Sequence, residues 1–325
     1  MRSLKNGVRL LLGLSLAASA QIAAADYPDH AIRLIVPFPA GGATDIVSRV
    51  VAKHASEKLG QQIVVENKTG AGGTIGSAEV AKAKPDGYTL LLTTNSTHSI
   101  APHLHANLGY DAIEDFEPIA HMADVTKVVV VNPQLPVSTL AELVDYAKAH
   151  PKELNYASSG NGTIVHLANE AFNNEAGIEL THVPYRGTGQ AIADMASGSV
   201  NVLFDAMASA IPHLEAGRFK PLAVTTLERN AVLPDIPTIS ESYLPGFSAN
   251  AWFGLFEPKG TPEDRLEVIY NAFTESIRDP EVIESMRRVG VDQPSTEGKE
   301  AFVEMFQADS DRWAKVIKDN NITLQ

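Results

Sequence analysis

Residues 36–45 read V-P-F-P-A-G-G-A-T-D, and their types suit the capture of an anion. A helix-like run follows them, and the first turn of a helix leaves backbone N–H groups without intrahelical acceptors. Those donors, with the positive end of the helix dipole, make an anion site. Gly41 and Gly42 carry no side chains, so a ligand can come close to the backbone, and Thr44 or Asp45 can cap the helix. The same residues also read as a plain connector capped by Asp45. Residue types alone leave both readings open.

Later turns repeat the pattern. Ser158-Ser159-Gly160-Asn161-Gly162-Thr163 is rich in glycine and hydroxyls, and His166 follows on the first turn of the next helix, facing a cleft or serving packing. Tyr185-Arg186-Gly187-Thr188-Gly189 adds a phenol and a cation; Arg186 could pair with a carboxylate or sit on the surface. Asp205 ends the apolar run V-L-F-D. A carboxylate at a strand's C-terminal end lies where ligands bind in open α/β sheets, or it caps the segment that follows. Gly70, Gly72 and Gly76 depart by one residue from the dinucleotide fingerprint, and their turn reads as packing.

The chemistry for bond breaking is missing from the pattern. There is no G-x-S-x-G elbow, no H-E-x-x-H and no cysteine. His98, His103 and His105 share no helical face and lack a carboxylate pair, so no metal and no cofactor is expected. No catalytic residue is assigned; the donors and few charges suit holding an anion, not reacting with it.

The chain has 325 residues and a formal charge of −13. Arg2, Lys5 and Arg9 precede a short apolar run, Leu10 to Ala18, too short to span a bilayer. Residues 1–25 therefore read as a signal peptide cleaved near Ala25, with Ala18-Ser19-Ala20 as a second possible site. Removal takes away three basic residues and leaves 23 against 39 acidic ones, a net −16. That balance argues against nucleic-acid binding, which needs a basic footprint. The absence of cysteine excludes disulfides and lipid attachment through a cysteine. The expected location is the periplasm.

These turns need elements to hold them. Ile32 to Val36 is a buried-strand pattern. Ile46, Val47, Val50, Val51, Ala55 and Leu59 then recur at helical spacing, with Gly60 as a stop. Gln62 to Glu66, Ile75 to Ala83 and Tyr88 to Thr94 continue as strand, helix and strand, which predicts parallel βαβ units with right-handed crossovers. The alternation resumes with helices over 139–149, 164–176 and 188–197 and strands over 154–157, 179–184, 200–204 and 222–225. Two extended stretches, Ala120 to Val128 and Ala249 to Glu257, suggest that the chain enters a second domain and returns. A helical tail, Pro262 to Ile317, then completes the first.

Seven ordered blocks resemble one family. They are P-F-P-A-G-G-A-T-D-I-V-S-R from Pro37, E-N-K-T-G-A-G-G-T-I-G from Glu66, A-K-P-D-G-Y-T-L-L from Ala83, Y-D-A-I-E-D-F-E-P-I from Tyr110, V-P-Y-R-G-T-G-Q-A from Val183, G-S-V-N-V-L-F-D from Gly198 and F-E-P-K-G-T-P from Phe256. The chain resembles the Bug family, the solute receptors of tripartite tricarboxylate transporters. Two departures occur: Lys68-Thr69 stand where the family has Arg-Pro, and Gln190 where it often has proline. The resemblance implies an α/β, bilobal periplasmic-binding-protein fold of type II with two crossing strands. Its domains would be 26–125 and 249–325 together, and 126–248. It implies ligand contacts at Phe38, Ala40, Gly42 and Thr44 on one side and at Ser159, Gly160, Thr163, His166 and Asp205 on the other. The implied function is capture of a small carboxylate by a monomer that delivers it to integral-membrane permease subunits. Alternatives are a ligand-presenting sensor for a membrane histidine kinase and an enzyme on the same fold.

Overall fold

The computed structural model describes residues 27–324; the leader and its cleavage site lie outside them. The first half runs β1 (Ile32–Val36), α1 (Ala43–Leu59), β2 (Ile63–Asn67), α2 (Thr74–Ala81) and β3 (Thr89–Thr94). A π-helical turn, Ser96–Ile100, leads into the short α3 (Ala101–Leu104), and then come β4 (Phe116–Val125) and β5 (Lys127–Val131). The second half runs α4 (Leu140–Ala149), β6 (Asn155–Ser158), α5 (Ile164–Ala176), β7 (Thr181–Pro184), α6 (Thr188–Ser197), β8 (Val202–Ala206), α7 (Met207–Glu215), β9 (Lys220–Val224) and α8 (Ile239–Ser242). The chain ends with β10 (Ala251–Pro258), α9 (Glu263–Ile277), α10 (Pro280–Arg288), β11 (Val291–Asp292) and α11 (Lys299–Asp319).

Two sheets result, in the orders β11-β4-β10-β3-β1-β2 and β7-β6-β8-β5-β9. Each contains three parallel strands, β2-β1-β3 and β7-β6-β8, beside an antiparallel strand that arrives from the other half, β10 and β5 respectively. The first crossing is direct, since β4 passes into β5 through Thr126 alone. The second is the return from β9 to β10. The crossings are tied together at Thr225, whose N–H donates to the Lys127 carbonyl at 3.0 Å and whose hydroxyl donates to Asn250 Oδ1 at 2.8 Å.

Alternation in β1 sends Ile32 and Leu34 to an aliphatic core shared with α1, and Ile35 to an aromatic cluster on the opposite face. That cluster explains where the tail goes. Phe302 and Phe306 of α11 pack on Trp252 and Phe256 of β10, and Trp252 Nε1 donates to Asp309 at 2.8 Å. The tail thus covers the first sheet. Helix α7 was not announced by the pattern, because Pro212 lies inside it.

Candidate functional site

The stretch after β1 is a tight turn into α1. Gly41 has φ +82°, where only glycine is unstrained. Gly42 is the N-cap at φ −79°, with no side-chain cap. Asp45 does not cap from the N-cap position: the helix begins two residues before it, and its carboxylate instead reaches back to accept the Gly41 N–H at 3.0 Å. Asn67 at the end of β2 braces the same turn, donating to the Phe38 carbonyl at 2.9 Å and to Asp45 at 3.0 Å. The N–H groups of Ala43 and Thr44 have no backbone acceptor among the described residues. The donors are therefore held in place and left open.

They face a cleft between the two sheets in which about 70 Å³ is open to the centre of a water molecule. At roughly 10–15 Å³ per water that is room for a compact small molecule. Phe38, Ala40, Gly42 and Thr44 line it from the first turn, and Thr94 and Ser96 from the end of β3. Ser159, Lys127, Asp205 and the segment 187–189 close it from the second half.

Three of the implied contacts lie elsewhere. Gly160 borders a separate outer groove with Gly72 and Arg186. Thr163 is buried as the N-cap of α5, donating to the Gly160 carbonyl at 2.8 Å. His166 is not among the cleft's lining residues: its Nδ1 accepts the Gly162 N–H at 3.1 Å, and its ring stacks on His182 at 4.2 Å. Burial pushes His166 down to about 4, so the ring is neutral. The hydroxyl-rich turn around these residues has its donors engaged, the Gly160 N–H within the turn on Ser158 and the Ile164 N–H across the mouth on Ser96.

In their place stand the glycines and threonine of the turn the sequence offered at 185–189, and one residue that the spacing did not single out, Lys127. Gly187, Thr188 and Gly189 open α6 on the cleft wall, while Arg186 beside them lines the outer groove. Lys127, buried at the start of β5, also lines the cleft. Its signal was present: one cation stands in the apolar run V-T-K-V-V-V-V, where lysine is rarely buried without a purpose. Asp205 is fully buried at the end of β8; Oδ1 accepts the Ala206 N–H at 2.9 Å and Oδ2 has no partner. Burial raises its carboxyl above the ordinary range.

The two halves touch across the mouth. The Ile164 N–H donates to Ser96 Oγ at 3.0 Å. A Cβ on Gly187 would stand 2.7 Å from Pro39 Cδ, and one on Gly72 would stand 2.8 Å from the Asn161 carbonyl oxygen. The glycines thus mark where the halves meet.

Gly42 offers a direct check on the first turn. Its φ suits any residue, and a Cβ there would meet only the Pro39 carbonyl oxygen at 3.5 Å. Gly42→Val is expected to fold normally and to place its methyl groups over the open donors. Affinity for an anion that the wild-type cleft binds should drop about tenfold or more, a loss of about 1.4 kcal/mol; calorimetry showing unchanged affinity would remove this turn from the site.

Residues 47–322 match the family described as "Tripartite tricarboxylate transporter family receptor". The chain is 33% identical over 326 residues to Protein BugT of Bordetella pertussis, covering 98% of this chain and 100% of that protein. Among solved structures it is similar to R. palustris Rpa4515 with adipate (34% identity, TM-score 0.89, 92% of this chain and 99% of that one). It is also similar to MatC from Rhodopseudomonas palustris with bound malate (33% identity, TM-score 0.85, 90% and 100%). The sheet order, the two crossings and the ordered sequence blocks agree with these matches: the chain belongs to the tripartite tricarboxylate transporter receptor family, with the Bug receptors, and has the periplasmic binding protein fold.

Proposed function

We propose that this chain is an extracytoplasmic receptor that closes on a small carboxylate and delivers it to the membrane permease of a tripartite transporter. The observation that carries this reading is the braced turn before α1, whose unpaired N–H groups face a small cleft holding a buried cation. Family membership supplies the context, since two similar receptors were solved with adipate and with malate. Residues 26–125 and 249–325 form one lobe and 126–248 the other, hinged at Thr126 and at the Thr225–Asn250 contact. Closure expels water and strengthens each donor–carboxylate bond. The receptor acts as a monomer, exported by its leader.

The test is native mass spectrometry of protein purified from the periplasm, followed by thermal shifts with mono-, di- and tricarboxylates. A cognate ligand at a hundred times its Kd should stabilise the protein by about 2.7 kcal/mol, which for a chain of this size is a rise in Tm of roughly 5–10 °C. If no carboxylate co-purifies and none raises the Tm, the reading fails. Ligand-dependent capture of the receptor by permease-containing membranes separates delivery to a permease from presentation to a sensor kinase.

A further inference from the structure

Lys127 is 3% exposed, the first residue of β5, and part of the cleft wall. Its backbone is fully engaged: the N–H donates to Thr225 Oγ1 at 3.2 Å and the carbonyl accepts the Thr225 N–H at 3.0 Å. Its ammonium group makes no hydrogen bond or ion pair among the described residues, and the one charge that acts on it is that of Asp205. A buried cation without a partner is costly and calls for an anion.

The other titratable side chain lining the cleft is Asp205, on the neighbouring strand, where Val128 pairs with Asp205 and Lys127 with Ala206. The two side chains do not form an ion pair. Asp205 already accepts the Ala206 N–H, and its free Oδ2 lies in a fully buried position. Burial pushes Asp205 up and pushes Lys127 down to about 8, with the Asp205 charge opposing that fall. At neutral pH the lysine therefore keeps its proton, while burial disfavours the charged form of Asp205. The remaining wall is backbone, hydroxyl and apolar, and the α1 donors lie on the first half while Lys127 lies on the second. The cleft thus offers two places for negative charge on two walls.

We propose that Lys127 is the specificity-determining residue of the cleft, its ammonium group holding a second carboxylate of the ligand, so that dicarboxylates are selected over monocarboxylates and α-amino acids of equal length. A monocarboxylate leaves the buried cation unpaired. An α-amino acid brings its ammonium group into the same small space as Lys127, and like charges so placed are strongly disfavoured. Asp205 Oδ2 is left to exchange one hydrogen bond with the ligand beside that carboxylate. The inference rests on the carboxylate reading of the first turn and goes further by fixing what the ligand carries at its other end.

The experiment is calorimetry on the full mature chain with two matched series: succinate, butyrate and 2-aminobutyrate, and adipate, hexanoate and norleucine. Wild-type protein should prefer the dicarboxylate of at least one series by roughly 30-fold or more over both partners. Lys127→Met should bring that preference to within roughly threefold by weakening the dicarboxylate alone. Lys127→Gln, neutral and close in length, should do the same and serves if the methionine variant does not fold. Wild-type binding without preference, or variants that keep the preference, would overturn the inference while leaving the carboxylate reading intact. If the wild-type protein binds none of the six, the inference falls, and the carboxylate reading is decided by co-purification and the wider thermal-shift series.

Discussion

Replacing Gly187 by valine is expected to weaken carboxylate binding roughly a hundredfold and to leave the Tm of the ligand-free protein nearly unchanged. Gly187 has φ 168°, extended backbone that valine adopts readily, so the substitution introduces no local strain. The obstacle lies on the other half of the molecule. A Cβ at 187 would sit 2.7 Å from Pro39 Cδ and 2.8 Å from Pro39 Cγ. The ring of Pro39 cannot swing away as a long side chain could. Overpacking of this kind costs about 1–3 kcal/mol, and valine, with two more methyl groups, belongs at the upper end. The cost exists only when the halves are in contact, so it subtracts from binding and not from folding. Calorimetry with a carboxylate that binds the wild-type protein reads the first effect and thermal unfolding without ligand reads the second. A variant that loses stability without ligand would show the contact to be part of the fold; one that binds normally would show that the halves do not meet this closely around the ligand.

The first half of the cleft was legible in the sequence because glycine, proline and a strand-to-helix change of period mark such a turn from local information. Phe38, Ala40, Gly42 and Thr44, the contacts that the family resemblance implied on this side, line the cleft. The second half was less legible, and the reason is physical. Hydroxyls and N–H groups around Gly160 and Thr163 look available in a one-dimensional reading, but the folded turn satisfies them internally and through Ser96. His166 is likewise occupied by the Gly162 N–H and the His182 ring. Which of two glycine turns opens toward the cleft depends on the orientation of α5 and α6, and no local spacing encodes that. Lys127 is a different case. Its place in an apolar strand was visible, but its meaning came only when β4 and β5 proved to be one crossing that passes the cleft wall. The fold itself was read from alternation of period. Two extended stretches foretold two crossings, while the reason the tail returns to the first sheet, the contact of Phe302 and Phe306 with Trp252 and Phe256, is long-range and needed the structure.

Glu257→Gln is expected to flatten the pH dependence of stability between about pH 4.5 and 8. Glu257 lies in β10, opposite Glu117 of β4 and far along the sheet from the cleft. It is 0% exposed, and neither carboxyl oxygen has a hydrogen-bond partner. Burial pushes it up to about 8, with Asp86 and Glu117 adding to the rise while Thr261 and Arg265 oppose it. The folded chain therefore keeps a proton that the unfolded chain releases above about pH 4.5. Stability from this group is fully present below that value and is lost as pH rises toward 8. Each unit is worth about 1.4 kcal/mol, so the whole window spans at most about 5 kcal/mol. Glutamine keeps the shape of the protonated acid and cannot ionise. Thermal unfolding at half-unit steps from pH 5 to 8 should show the wild-type Tm falling relative to the variant by roughly 5–15 °C. Histidines such as His98 and His166, buried and neutral in both proteins, cancel in that difference. Parallel curves would mean that Glu257 ionises in the folded protein near its ordinary value, with water or Arg265 reaching its carboxylate. Because this residue stands apart from the cleft, the variant should bind carboxylates as the wild type does at pH 7, which separates a change in the fold's pH response from any change in the site.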